Sequence, residues 1–204
     1  MAPPTALVVG TGVAERIASG LSDRFTMVDP SDSQPLNLAV WAEYSVAATR
    51  PRPLIELTAS EWDEACDRPL RAAIDFARTT HPRLAAGRGT IVFLVPLMAS
   101  AGGAGYTPLA TVGEGVRILA KSLAKTWGGD GVTAHAITLD PHAFLEPDLA
   151  AGIAEANSLH DPPFGRIPDD RTEVAPIIEW LASATAAPLT GASLVVDGGL
   201  WMPG

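Results

Sequence analysis

Short uninterrupted apolar runs alternate along the chain with longer stretches in which apolar residues recur every three or four positions. Ala6-Leu7-Val8-Val9 stops at Gly10, and an apolar run with no polar alternation predicts a strand covered on both faces. Val13 to Leu21 follows, with Ile17 and Leu21 four apart on one helix face. Phe25 to Val28, Leu36 to Trp41, Thr90 to Val95, Val132 to Leu139 and Ala192 to Val196 read as further strands. Ser60 is placed to cap a helix containing Trp62, Pro69 marks a joint, and the helical pattern resumes from Leu70 to Leu84. A helix from Leu109 to Trp127 carries Val112, Val116, Leu119, Leu123 and Trp127 on one stripe, with Arg117, Lys121 and Lys125 on another. A short helix is expected over Leu149 to Leu159. Another, capped by Asp169 or Asp170, runs through Ile177, Ile178 and Leu181. Glu43 to Thr58, with Pro51 and Pro53, shows no readable period. Alternating strands and amphipathic helices predict a layered α/β sheet in one domain over residues 1–204, and right-handed crossovers put helices on both faces.

Composition narrows the function classes. Of 204 residues, 47% are hydrophobic and 18% charged, which suits one packed core and excludes global disorder. The formal charge of −9, from 23 acids and 14 bases, repels nucleic acid and anionic lipid, so neither is expected as a partner. No apolar run is long enough to cross a membrane, and the start of the chain has no basic leader, so a cytoplasmic protein is expected. Cys66 is the single cysteine, which rules out an internal disulfide, and it reads as a small buried hydrophobe. His81, His135 and His160 have no metal-ligand spacing, and no metal is expected. Asp140 and His142 stand two apart after a strand, a spacing that does not distinguish acid–base work from an exposed loop.

Several segments carry a family resemblance. They are Gly165-Arg166-Ile167-Pro168, Glu173-Val174-Ala175, Leu181-Ala182-Ser183, Leu189-Thr190-Gly191 and Val195-Val196-Asp197-Gly198-Gly199-Leu200. Lys121-Ser122-Leu123-Ala124 and Trp62-Asp63 join them. In order and spacing they resemble the short-chain dehydrogenase/reductase family. The resemblance implies a Rossmann-like, doubly wound parallel sheet with helices on both faces. It also implies the loss of one strand and two helices after the second strand, about forty residues, together with one wall of the adenosine pocket.

The family's nicotinamide cofactor would meet Gly10, Gly12 and Ala14 in a shortened glycine turn, and Asp29 at the end of the second strand. Glu15 places a carboxylate in the first helical turn, where it competes with pyrophosphate for the positive end of the helix. A family member transfers a proton through a tyrosine whose ionisation is favoured by a lysine four residues later, with a serine on the reacting oxygen. Carrying those positions onto this sequence gives Pro96 for the serine, Leu109 for the tyrosine and Gly113 for the lysine, while Pro69 replaces a structural asparagine. None of the four can move a proton. Ser100 and Tyr106 are the substitutes within reach, but Ala110, not a lysine, stands four residues beyond Tyr106.

These residues lead to the expectation of a catalytically silent dehydrogenase homologue that serves as a structural or regulatory subunit without a bound cofactor. Its partner would be a second copy or a full-length active relative, with Trp201-Met202 suited to an interface. The alternative is an atypical NAD- or NADP-dependent oxidoreductase on a hydroxyacyl, steroid or polyketide-type alcohol or ketone, its nicotinamide lined by Gly12, Ala42 and Leu139. A third reading is a small-ligand binding protein walled by Tyr106, Phe144 and Phe164.

Overall fold

The computed structural model describes residues 3–156 and 161–202, the side chains of 153–156 excepted. His160 and the far end of the helix expected to reach Leu159 lie outside the described residues. Six parallel strands form one sheet in the order β2-β1-β3-β4-β5-β6. They are β1 (Thr5–Gly10), β2 (Thr26–Met27), β3 (Leu38–Ala42), β4 (Thr90–Pro96), β5 (Thr133–Leu139) and β6 (Ser193–Val196). Every neighbouring pair is parallel. The sheet is the doubly wound kind, and its order changes direction at β1, beside β3. β2 is its edge, and the chain passes from β2 to β3 without another helix or strand, as the missing segment requires.

The helices cover both faces because the strands alternate their side chains. Trp41, Ile91, Phe93, Val95, Ala134 and Ala136 point to one face, packed by α3 (Arg68–Gly87) and α5 (Thr107–Trp127). Leu38, Val40, Val92, Leu94, Ile137 and Leu139 point to the other, packed by α1 (Val13–Leu21) and α7 (Ala175–Leu181). The other α-helices among the described residues are α2 (Ala59–Trp62), α4 (Met98–Ala101) and α6 (Pro147–Ala156). No helix among the described residues is long and apolar enough to cross a membrane.

Local chemistry shifts several expected boundaries. Thr58, not Ser60, caps α2, through a reciprocal capping box in which Glu61 reaches back to the Thr58 amide. Pro69 does not break the helix. A wide π turn, Asp63–Asp67, joins α2 to α3 just ahead of it. The same pairing recurs at α7, where the π turn Asp170–Val174 precedes Pro176. Proline lacks an N–H and its ring crowds the carbonyl four residues back, and a widened turn relieves both. The long helix starts at Thr107, two residues before the expected Leu109, with Pro108 in its first turn. The segment 43–58 holds one 3-10 turn, Leu54–Glu56.

The Val-Asp-Gly-Gly signature is a backbone clamp. Asp197 is buried (2% exposed), and its carboxylate accepts the amides of Gly199, Leu200 and Trp201 at 2.9, 3.1 and 2.9 Å. A side chain on Gly198 would come within 2.8 Å of the Arg166 carbonyl oxygen, which explains the glycine. Asp197→Ala leaves three amides without their acceptor and is expected to cost about 3 kcal/mol, read from the shift of a urea unfolding midpoint.

Candidate functional site

The carboxyl ends of the strands meet a cleft of about 500 Å³ lined by the turn after β1, the end of β3 and the loop after β5. Gly10 and Gly12 both have positive φ, 136° and 60°. A Cβ on Gly10 would lie 2.7 Å from the Ala42 carbonyl oxygen, so the turn is pressed against β3, whereas a Cβ on Gly12 would meet only Arg16 Nη1, at an uncrowded 3.9 Å. No side chain caps α1 after Gly12, and Glu15 stands in its first turn. Ala14 is buried and faces the core. Asp29 is exposed in an Asp-Pro turn, its amide donating to Asp32 at 2.8 Å, and it does not line the cleft.

Arg16, which sequence reasoning passed over, organises the cleft. Its Nε donates to Asp170 Oδ2 at 2.7 Å and its Nη2 to the Ala143 carbonyl at 2.9 Å, tying α1 to the loop after β5 and to the turn before α7. Burial raises the Asp170 carboxyl, and the Arg16 hydrogen bond opposes that rise. Asp140 caps a 3-10 turn, Pro141–Ala143, accepting the His142 amide at 2.8 Å and meeting His142 Nδ1 at 2.6 Å. Tyr44 is a second residue missed in the unreadable segment. Its hydroxyl donates to the Leu94 carbonyl at 3.0 Å, and its ring meets Trp41 and Phe144 edge-on at 5.1 and 5.4 Å. Burial raises the Tyr44 phenol well above its ordinary value, so it stays neutral. Its proximity to Leu94 joins two strand ends, which a one-dimensional pattern does not encode.

The residues at the carried-over catalytic positions are closed off from this cleft. Leu109 is fully buried, in a small core with Tyr106, Met98 and Leu145. Pro96 is buried at the end of β4, in register with Leu139. A Cβ on Gly113 would stand 2.8 Å from the Ala99 Cβ and 3.3 Å from Val95 Cγ1. Tyr106 is 3% exposed and its phenol is raised by burial. Ser100 lines a different cavity, of about 400 Å³, with Glu114, Arg117 and Trp201. Pro69 is buried at the start of α3.

Of the expected walls, Phe144 and Ala42 line the cleft, but Phe164 does not: it is 60% exposed and lies under the Arg166 guanidinium, 4.8 Å from its ring centre. Trp201 is half-buried and Met202 is exposed. Cys66 is buried, its thiol pushed up to about 11 by burial and by Asp67.

A doubly wound parallel sheet with a glycine turn at the end of its first strand and a cleft at the strand ends defines a Rossmann-type nucleotide-binding frame. The family model described as enoyl-(acyl carrier protein) reductase matches residues 41–201. The chain belongs to the short-chain dehydrogenase/reductase family. It is 24% identical to the 3-oxoacyl-[acyl-carrier-protein] reductase of Escherichia coli K12, in a match spanning 97% of this chain and 88% of that protein. It is 30% identical to a tropinone reductase homolog of Arabidopsis thaliana, over 78% of this chain and 61% of that protein. The TT0495 protein of Thermus thermophilus shares the fold, with a TM-score of 0.75 at 21% identity, 97% of this chain and 98% of that one being covered.

Proposed function

We propose that this chain keeps the reductase frame without the family's proton relay and serves as a structural or regulatory subunit of an oxidoreductase assembly. Its partner is a second copy or a full-length active relative. The packing around Gly113 carries the reading. A lysine that assists a tyrosine must start from this helix position, and Ala99 and Val95 already fill the space its Cβ needs. Leu109, beside it on α5, offers no hydroxyl.

The cofactor cleft supports the same reading. The glycine turn and the uncapped start of α1 suit a pyrophosphate. The cleft lining includes no residue of β2 or of the turn after it, and adenosine would have no wall there. The residues present do not fit a whole nicotinamide dinucleotide, and no step is derived through one.

Assembly surfaces remain. Ile74 on α3, Ile118 on α5 and Trp180 on α7 are exposed, at 38%, 51% and 47%, and large apolar side chains on outer helix faces suit a partner. Native mass spectrometry of the chain, alone and co-expressed with a full-length family member of the same cell, is expected to give a dimer or a mixed oligomer. Ile118→Glu is expected to dissociate it without loss of thermal stability. Recovery of monomer alone in both preparations contradicts the subunit reading.

One observation favours a second reading. The similar proteins are named as reductases, and an active NAD(P)-dependent oxidoreductase on a hydroxyacyl or related carbonyl would follow from that likeness. It requires a proton donor outside the family positions.

A further inference from the structure

The loop after β5 holds an acid–base pair that the subunit reading leaves without a role. Asp140 is 4% exposed, and among the described residues its carboxylate is met twice by His142, once by the backbone amide and once at ring Nδ1. The imidazole is 39% exposed in its side chain and lines two adjoining clefts, each of about 500 Å³. A ring whose Nδ1–H is donated to a carboxylate presents Nε2 as an unprotonated acceptor. This is the base-and-orienter arrangement of acid–base sites, a buried acid behind a partly exposed ring. It lies at the carboxyl ends of the strands, where such sheets bind ligands.

We propose that His142, held by Asp140, is the proton-transferring residue of an acyl-ester hydrolase activity in this cleft. The chemistry is separate from carbonyl reduction and requires neither a nicotinamide nor a tyrosine. The charged groups that line the two clefts with the imidazole are Arg16 and Asp170, paired with each other, Glu146 and Asp169 on the flanking loops, and Arg50 from the segment after β3. Arg16 commits Nε and Nη2 to Asp170 and Ala143, leaving Nη1 beside the glycine turn, 3.9 Å from where a Gly12 Cβ would stand. Leu139, Leu145 and Val196 provide the apolar wall, which suits a short aliphatic acyl group.

In the first step His142 Nε2 takes a proton from water as the water oxygen bonds to the acyl carbon. The carbonyl electron pair moves to its oxygen, where the Arg16 guanidinium stabilises the negative charge. The acyl–oxygen bond then breaks, and the imidazolium returns its proton to the departing alkoxide. Ester and water become acid and alcohol, with no oxidation or reduction.

The chain carries its own control. His81 Nε2 meets Asp130 Oδ2 at 3.0 Å, but Asp130 is 51% exposed and neither residue lines these clefts. Release of 4-nitrophenolate from 4-nitrophenyl butyrate, without nicotinamide, separates the two pairs. His142→Gln and Asp140→Asn are each expected to lower the rate at least about tenfold, with His81→Gln unchanged. Nitrogen-15 NMR of the wild-type ring is expected to show the proton on Nδ1, with Asp140→Asn shifting it toward Nε2. A His142→Gln protein with the wild-type melting profile and undiminished hydrolysis overturns the proposal, as does an equal loss in His81→Gln. A wild-type ring protonated on Nε2 alone overturns the positioning role of Asp140, even where Asp140→Asn fails to fold. Because no nicotinamide enters the assay, these outcomes are independent of the subunit reading.

Discussion

Replacing His135 with leucine is expected to stabilise the protein, an unusual result for a substitution in the middle of a central strand. His135 is fully buried on β5, both ring nitrogens lack a hydrogen-bond partner, and strand alternation sends it with Ile137 and Leu139 toward α1 and α7. An unpartnered buried polar group costs roughly 1–3 kcal/mol, and leucine removes that cost at similar volume. The gain grows in acid. Burial depresses the imidazole to about 4, below its ordinary value, so the unfolded chain takes up the proton first. The stability that goes with a neutral His135 is complete above about pH 6.5 and is lost as pH falls toward 4, about 2 kcal/mol of it between pH 7 and pH 5. Urea midpoints of wild type and His135→Leu at those two pH values measure both parts. The variant should be more stable at pH 7, and the difference should widen at pH 5. A variant less stable than wild type at both would show that the ring makes contacts worth more than its lost hydration.

The second large effect concerns Gly113. Gly113→Ala is expected to lose about 1–3 kcal/mol, although alanine is the better helix former, because the new methyl meets Ala99 at 2.8 Å, with Val95 and Pro96 close behind. Ala99→Gly in the same chain should recover part of that loss, since the two changes act on one contact. Gly113→Lys should be worse than Gly113→Ala. The triple variant Pro96→Ser, Leu109→Tyr, Gly113→Lys is expected to be destabilised and without reductase activity. Thermal melts of the series read the packing directly. Equal stability of wild type and Gly113→Lys would mean that α4 moves aside, and would remove the main support for the silent-subunit reading.

Much of the frame was legible in the sequence because burial on both faces leaves a plain signature. β4 is fully buried and reads as an apolar run, whereas β5 is almost fully buried although Thr133, His135 and Thr138 interrupt its apolar positions. The passage from Val28 to Leu36 is too short for a helix and strand, and β2 is accordingly the sheet edge. The two π turns were not legible, because Pro69 and Pro176 mark a disturbance without saying whether the helix breaks or widens. The decision rests with packing, and Ala65, Cys66 and Val174 in those turns are buried. The Arg16 bridge was equally hidden, its partners being 127 and 154 residues away along the chain. The pairing of Asp140 with His142 was nameable from their spacing, but the burial of one beside the openness of the other appears only in three dimensions.

The most direct test of the central claim is NADPH oxidation by the purified chain supplied with a 3-oxoacyl thioester, followed at 340 nm. A rate equal to that of buffer is expected. Turnover that disappears in Tyr106→Phe would contradict it, because a buried phenol without a neighbouring cation would then be the proton donor.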